Sequence, residues 1–383
     1  MTKAIHSPFP TETQKLLLQA SLLNGDKALD AWQKWKVHID FEKDIEHGSF
    51  RQLPLLYHNL HKLNIDDKLM FRLKGIYRQS WSKNHILFFK TGEVLKLLNK
   101  AGVRTLVMKG IALTVLIYKN YSIRPMADMD ILVPHTETTK TIDLLKKHGW
   151  IPQKEEYLEH NLKYGRSLTF IDAEKTELDL HWHPIFESHD TITDADFWDK
   201  ANQFEVAGVP TLAFCDTDSL FHTIVHGLRY NPEPPIRWVA DSMALLNKND
   251  NGIDWDRLVD HCKKFRVSLQ MLDAFSYLIK YFDAQIPEKA IIRLKALKSS
   301  FFDKLVYRHA KKYGDIEPFT FFEKLYSIYA AYVRQSSKTG FIRINIGFIR
   351  YIIFRNKGKP YFRILLYYMS LVGRNRTSKR NKQ

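Results

Sequence analysis

Leucine recurs at helical spacing through the first hundred residues. Leu16, Leu17, Leu18, Leu22 and Leu23 crowd one stripe, and Leu53, Leu55, Leu56, Leu60 and Leu63 form a second. Residues 66–100 carry Ile86, Phe88, Phe89, Val94, Leu95, Leu97 and Leu98 with few breakers, which predicts one long helix ending at Gly102. The texture then changes. Short apolar runs at Thr105–Met108 and Met129–Val133 predict strands, the second interrupted by carboxylates and stopped by Pro134. Ile111–Tyr118 and Thr136–His148 predict helices, the latter closed by Gly149. Leu162–Ile171 and Thr176–His183 predict two strands about a polar turn at Asp172–Lys175, and Phe204–Phe214 one or two more around Gly208. Helical periodicity returns from a cap at Asp216 or Thr217 to Leu228, then over Trp238–Asn247, Trp255–Phe265, Ser268–Phe282 and Ala290–Lys311. The pattern predicts a mostly helical α+β protein. A helical region spans 1–100, a compact core with a small mixed sheet spans 101–215, helices fill 216–315, and a basic amphipathic segment occupies 316–383.

Composition adds one feature to this picture. Apolar residues at 45% and charged residues at 26% exclude wholesale disorder. The formal net charge of +16 is concentrated: residues 324–383 hold 14 Lys/Arg and no acid, while the other 323 residues hold 44 bases and 42 acids. One segment, not the whole surface, therefore calls for an anionic partner. Between 341 and 372, apolar and aromatic residues alternate with four arginines and two lysines. Such a segment suits an anionic membrane surface through 340–383, or packing on the body by its apolar face; nucleic acid is the less favoured partner. No run of about 18 uncharged apolar residues exists, so no transmembrane helix is expected. The first ten residues lack a signal-peptide core. Cys215 and Cys262 have neither disulfide nor metal spacing and read as two buried thiols. The expected location is the cytoplasm, with peripheral attachment at the inner face of the membrane if the basic end binds lipid. The oligomeric state is not legible.

The chemistry is in the middle. In MADMDILV (126–133), Asp128 and Asp130 are two apart on a strand and share a face. Two carboxylates there repel each other, and a hard cation such as Mg²⁺, or Mn²⁺, offsets that cost. The bland alternative is a solvated acidic strand. In ELDLHWH (177–183), Glu177, Asp179, His181 and His183 share one face, and Leu178, Leu180 and Trp182 the other. If the two strands pair, Asp179 becomes a third carboxylate, a set suited to in-line phosphoryl or nucleotidyl transfer. His181 would then touch substrate or support the acids, or else simply pack beside Trp182. In VMKGIAL (107–113) a strand ends at Lys109-Gly110 and a helix follows. Free amides, a close backbone and the Lys109 cation suit phosphate there, with Arg124 as a second clamp; a plain turn is the alternative. His222 and His226 lie four apart on a predicted helix, but no glutamate or third ligand completes a zinc motif. Asp241 follows Arg237 by four, which reads as an i,i+4 ion pair or as a pocket residue.

Taken in order, LVMKGIAL, SIRPMADMDILV and ELDLHWHP resemble the uncharacterised bacterial nucleotidyltransferase family of the polymerase-β-type nucleotidyltransferase superfamily. The similarity extends to PLLYHNL (54–60) upstream and IRWVADSMALL (236–246) downstream, and covers roughly residues 50–265. The resemblance implies a small mixed sheet with flanking helices. It implies Mg²⁺ on Asp128 and Asp130 with Asp179 completing the set, and phosphates held by Lys109, Gly110 and Arg124. It also implies transfer of a nucleoside monophosphate from an NTP to an unknown acceptor. Asp241 enters the pocket on the same ground. The turn reads Gly110-Ile111 where the wider superfamily has Gly-Ser, and a longer spacer separates it from Asp128. A non-catalytic nucleotide-binding or membrane-associated scaffold on the same fold is the alternative; the presence of all three acids favours the enzyme.

Overall fold

The computed structural model describes residues 7–312, apart from 42, 44, 154, 156–157, 159–160, 163–164, 186–190, 230–235 and 249–251, together with 329, 332 and 348. The basic end proposed for an anionic surface thus lies, but for Phe348, outside the described residues. Among the described residues no helix is long and apolar enough to cross a membrane.

The leucine stripes form helices as their spacing requires. Helix α1 (Glu12–Leu22) opens with a capping box in which Thr11 and Gln14 satisfy each other's backbone amides. Helices α2 (Gly25–His38), α3 (His47–Phe50) and α4 (Leu53–Lys62) follow, then the 32-residue α5 (Leu69–Lys100). Leu17, Trp32, Trp35, Leu53, Leu56, Leu60 and Leu73 close a core of their own among these helices.

Seven strands make one mixed sheet. They are β1 (Leu106–Val107), β2 (Asp128–Leu132), β3 (Ile151–Pro152), β4 (Ser167–Ile171), β5 (Glu177–His181), β6 (Asn202–Val206) and β7 (Val209–Ala213). Their spatial order is β3-β4-β5-β2-β1-β7-β6. The central pair is β2 and β5, which run parallel with Asp128 opposite Glu177, Asp130 opposite Asp179 and Leu132 opposite His181. Alternation along both strands separates two faces. Met129, Ile131, Val133, Leu178 and Leu180 enter a core with Leu87, Leu95 and Leu98 of α5 and Ile142 and Leu145 of α7 (Thr138–Lys147). The carboxylates take the opposite face. There Leu132 joins a different core, built largely from the C-terminal helices.

Those helices are α9 (Asp216–Gly227), α10 (Arg237–Leu246), α11 (Trp255–Lys264), α12 (Ser268–Phe282), α13 (Glu288–Ala296) and α14 (Phe301–Lys312), preceded by α8 (Thr191–Asp199). Asp254 caps α11 through the Arg257 amide at 3.0 Å. Four expectations shift. The helix expected over Ala290–Lys311 is two helices, because Leu297 turns extended and Ser300 starts a new cap with Asp303. The strand expected from Leu162 begins at Ser167. Asp216 is the first residue inside α9, whose cap position is Cys215 without a side-chain bond. Cys262 is buried as expected, but Cys215 is only half-buried.

Helices α9 and α10 meet at Gly227. A Cβ added there would lie 2.3 Å from Cβ and 2.5 Å from Cγ of Trp238, so only glycine lets the two helices approach this closely. The Gly227→Ala chain is expected to lose roughly 1–3 kcal/mol of stability, overpacking outweighing the helix propensity gained. Urea unfolding followed by circular dichroism checks this.

Candidate active site

The register of β2 and β5 determines the site. Asp130 is 3% exposed and its strand partner Asp179 half-buried, so two carboxylates converge where neither is well solvated. Donors gather around them. Lys109 Nζ donates to Asp130 Oδ1 at 2.5 Å, His181 Nε2 sits 3.0 Å from the same oxygen, and Thr169 Oγ1 on β4 donates to Asp179 Oδ1 at 2.5 Å. One ligand atom each from Asp130, Asp179 and His181 lie within 4.8 Å of one another, close enough to share an ion. Two carboxylates and one imidazole suit a hard or borderline divalent cation, Mg²⁺ or Mn²⁺, and their mutual repulsion favours one. Asp128 lines the same cavity from the start of β2 but is not one of that close group. Burial, reinforced by Lys109, pushes the His181 imidazole well below its ordinary pKa, which leaves it neutral and able to ligate. Its Nδ1 is buried without a hydrogen-bond partner among the described residues.

Lys109 reaches Asp130 from a left-handed backbone, φ 51°, between β1 and the five-residue helix α6 (Lys109–Leu113). That conformation costs a lysine on the order of 1–3 kcal/mol. Helix α6 is too short for a large end dipole, so positive charge here comes from side chains rather than from helix amides. Gly110 lines the same cavity as the acids, and its lack of a side chain has a further use. A Cβ on it would lie 2.5 Å from Arg124 Nη1 and 2.7 Å from Met126 Sδ, so glycine makes room for Arg124.

Arg124 is clamped. Its Nε and Nη2 donate to Asp241 Oδ1 and Oδ2, each at 2.9 Å, a bidentate pair in which both residues are under 10% exposed. Tyr118 donates to the same Asp241 Oδ1 at 2.9 Å from a π-helical turn, Thr114–Tyr118. The i,i+4 pairing of Asp241 with Arg237 is therefore replaced by a longer-range one, and Arg237 instead donates from Nη1 to the Pro125 carbonyl. Asn84 of α5 pins the same loop, donating to the Tyr121 and Arg124 carbonyls at 2.6 and 2.9 Å and accepting from the Met126 amide. The long spacer between Gly110 and Asp128 is thus a built element that places Arg124.

A cavity of about 280 Å³ opens on these groups. Asp128, Asp130 and Asp179 form one side, and Arg51, Arg124 and Arg237 line it as well. The three arginines come from three regions: the end of α3, the loop before β2, and the start of α10. Sequence reading found Arg124 but missed Arg51, Asn84 and Thr169, and weighed Arg237 only as an ion-pair partner. Asn84 had a visible signal, an amide in the apolar stripe of a long helix; Arg51 had none. A second cavity of about 120 Å³ adjoins the first, and Lys109, Asp179, His222 and His226 line both. Burial drives His222 and His226 well below the ordinary imidazole pKa, with Lys109 adding to the effect at His222 and Arg229 at His226. His183 lies past the end of β5 and turns to Asp194 at 2.5 Å, away from the acids' strand face.

The sequence profile of the uncharacterised nucleotidyltransferase family matches residues 51–283, more than half of the chain. The chain belongs to this family. The matched span starts at Arg51 and takes in every residue of the site just described. Among solved structures, an antigenic nucleotidyltransferase-like protein from Paracoccidioides brasiliensis is 14% identical, covering 56% of this chain and 94% of its own, with a TM-score of 0.35. A tRNA-processing enzyme in an apo form is 14% identical over 72% of this chain and 75% of its own, with a TM-score of 0.21. No curated protein matches this chain.

The Asp241 clamp has a pH signature. Burial alone would raise its carboxyl pKa, but Arg124, with Arg237 and Tyr118, outweighs that and holds it below the ordinary 3.8. A group depressed in the folded state stabilises fully above its unfolded pKa and loses that contribution as pH falls through the folded value. Asp241→Asn is expected to cost about 3 kcal/mol at neutral pH. Denaturant unfolding of both chains between pH 7 and pH 3 should show the gap narrowing below about pH 4.

Proposed function

We propose that this nucleotidyltransferase moves a nucleoside monophosphate from an NTP to an acceptor hydroxyl, with Mg²⁺ or Mn²⁺ as cofactor. The observation that carries the reading is the pairing of Asp130 with Asp179 across parallel strands, at the wall of a cavity lined by three arginines. Acids alone would repel a triphosphate, and arginines alone would bind one without activating it. Adjacent, they suit a substrate whose phosphates must be both held and attacked.

In this reading Arg51, Arg124 and Arg237 hold the β- and γ-phosphates, and Lys109 reaches phosphate from the turn after β1. Asp128, Asp130 and Asp179 would hold the cation, with His181 supporting or joining them. The cation supplies neutralisation of triphosphate charge and a lower pKa for the attacking hydroxyl. The acceptor oxygen attacks the α-phosphorus, forming the new O–P bond. The bond from that phosphorus to the oxygen bridging to the β-phosphate breaks, and pyrophosphate leaves. Asp179, fixed by Thr169, orients the acceptor hydroxyl and takes its proton before releasing it to water. Asp241 does not touch the nucleotide; it fixes the guanidinium of Arg124 that does.

The full chain is incubated with each α-labelled NTP, Mg²⁺ and a cell extract. A labelled product is expected from one nucleotide and should fall at least about 100-fold in Asp130→Asn or Asp179→Asn. Equal label in wild type and variants would remove the enzyme. Nucleotide binding without any label transfer would favour the scaffold alternative. Lys109→Ala should weaken nucleotide binding, and unchanged binding would remove Lys109 from the phosphate site.

A further inference from the structure

The smaller cavity extends past the groups assigned to the NTP and its cation, with Arg166, Ser167 and Arg229 in its wall. We propose that it is a second oxyanion site, which seats a phosphate-monoester group on the acceptor. Among the described residues its wall carries the cations Arg166, Arg229 and Lys109, the last paired with Asp130, and the carboxylate of Asp179. Ser167, His222 and His226 add neutral donors. These groups come from β1–α6, the start of β4, α9 and the turn after α9, so they approach from several directions. A tetrahedral phosphate uses donors so arranged, whereas a carboxylate is met by one planar fork. Pro184, Ile185 and Val225 supply apolar wall, which strengthens each charged contact.

The site is built rather than incidental. The carbonyl of Arg166 accepts from the Trp182 amide at 2.8 Å, and Trp182 Nε1 donates to the Gly165 carbonyl at 3.0 Å, so a buried tryptophan fixes the backbone that carries Arg166. Burial, with nearby cations adding to it, lowers the pKa of His222 and His226, so both present neutral rings to the cavity. Buried in the same wall is His181, whose Nδ1 has no hydrogen-bond partner among the described residues. Position assigns the role. Because Lys109, Asp179, His222 and His226 line both cavities, a phosphate anchored in the smaller one brings a neighbouring hydroxyl of the same molecule to Asp179. The acceptor role rests on the nucleotidyl transfer proposed above; oxyanion binding does not.

Inorganic phosphate is titrated calorimetrically into the full chain carrying Arg51→Gln and Arg237→Gln, without NTP or metal, so that the larger cavity contributes little. Binding is expected to persist in that background and to weaken at least tenfold when Arg166→Gln and Arg229→Gln are added. Adding His226→Gln alone, which changes no arginine, should weaken it several-fold. Far-UV circular dichroism of each chain shows that the fold is retained. Phosphate binding absent from the background chain, or equal with and without the added changes, overturns the site. For the acceptor role, the extract is treated with immobilised alkaline phosphatase, cleared of it, and then used in the labelled-NTP assay. Loss of labelled product is expected. Product that survives the treatment overturns the phosphomonoester acceptor, whatever the phosphate titration shows.

Discussion

Two carboxylates in register on adjacent parallel strands set the terms for everything around them. Asp130 and Asp179 cannot share a poorly solvated face without positive charge or donors close by. The protein supplies Lys109 from a left-handed turn, Thr169 from the next strand, and His181 from the strand itself. None of this arrangement is free. A lysine with φ 51° is strained, and an imidazole with an unpartnered nitrogen is desolvated. Strain kept at one place by a well-packed surround marks the Asp130–Asp179 pair as the centre of the site.

The surround is the apolar face of the same strands. Met129, Ile131, Leu178 and Leu180 are completely buried against α5 and α7, so the register cannot slip by one residue without moving the acids into that core. On the other face, Arg124 and Asp241 join the loop before β2 to helix α10, and Asn84 ties that loop to α5. The helical regions on either side of the sheet are therefore joined to the site as well as flanking it. Arg51 and Arg237 lie on the walls they contribute. The span matched by the family, 51–283, contains every residue of this site.

Much of this was legible in the residues. Period-two alternation in MADMDILV and ELDLHWH predicted which side chains face which way, and pairing of the two strands was stated as the condition for a third acid. The long helix α5 and the bounds of α10, α11 and α12 followed closely from helical spacing. What escaped were features held by distance rather than by pattern. Asp241 had a local partner four residues away, yet bonds a guanidinium 117 positions earlier, in a buried bidentate geometry that fits the carboxylate's two oxygens. That Gly110 also makes room for Arg124 was not legible either, because the two are brought together only by the fold. The edge strand β3, two residues long, carries too little pattern to be seen, and the break between α13 and α14 was readable only from Ser300 and Asp303. The basic end that dominates the charge lies almost wholly outside the described residues; among these, three arginines and Lys109 line the cavity, drawn from a body with nearly balanced charge.

Cation binding at the acid pair is the claim on which the rest turns, and electron paramagnetic resonance of Mn²⁺ titrated into the full chain reads it without reference to any substrate. Wild type should reduce the free Mn²⁺ signal with one site per chain, and Asp130→Asn and Asp179→Asn should each weaken that binding at least tenfold. Asp128→Asn, altering an acid outside the close group, should weaken it less. Mn²⁺ binding that is unchanged in both Asp130→Asn and Asp179→Asn would contradict the account.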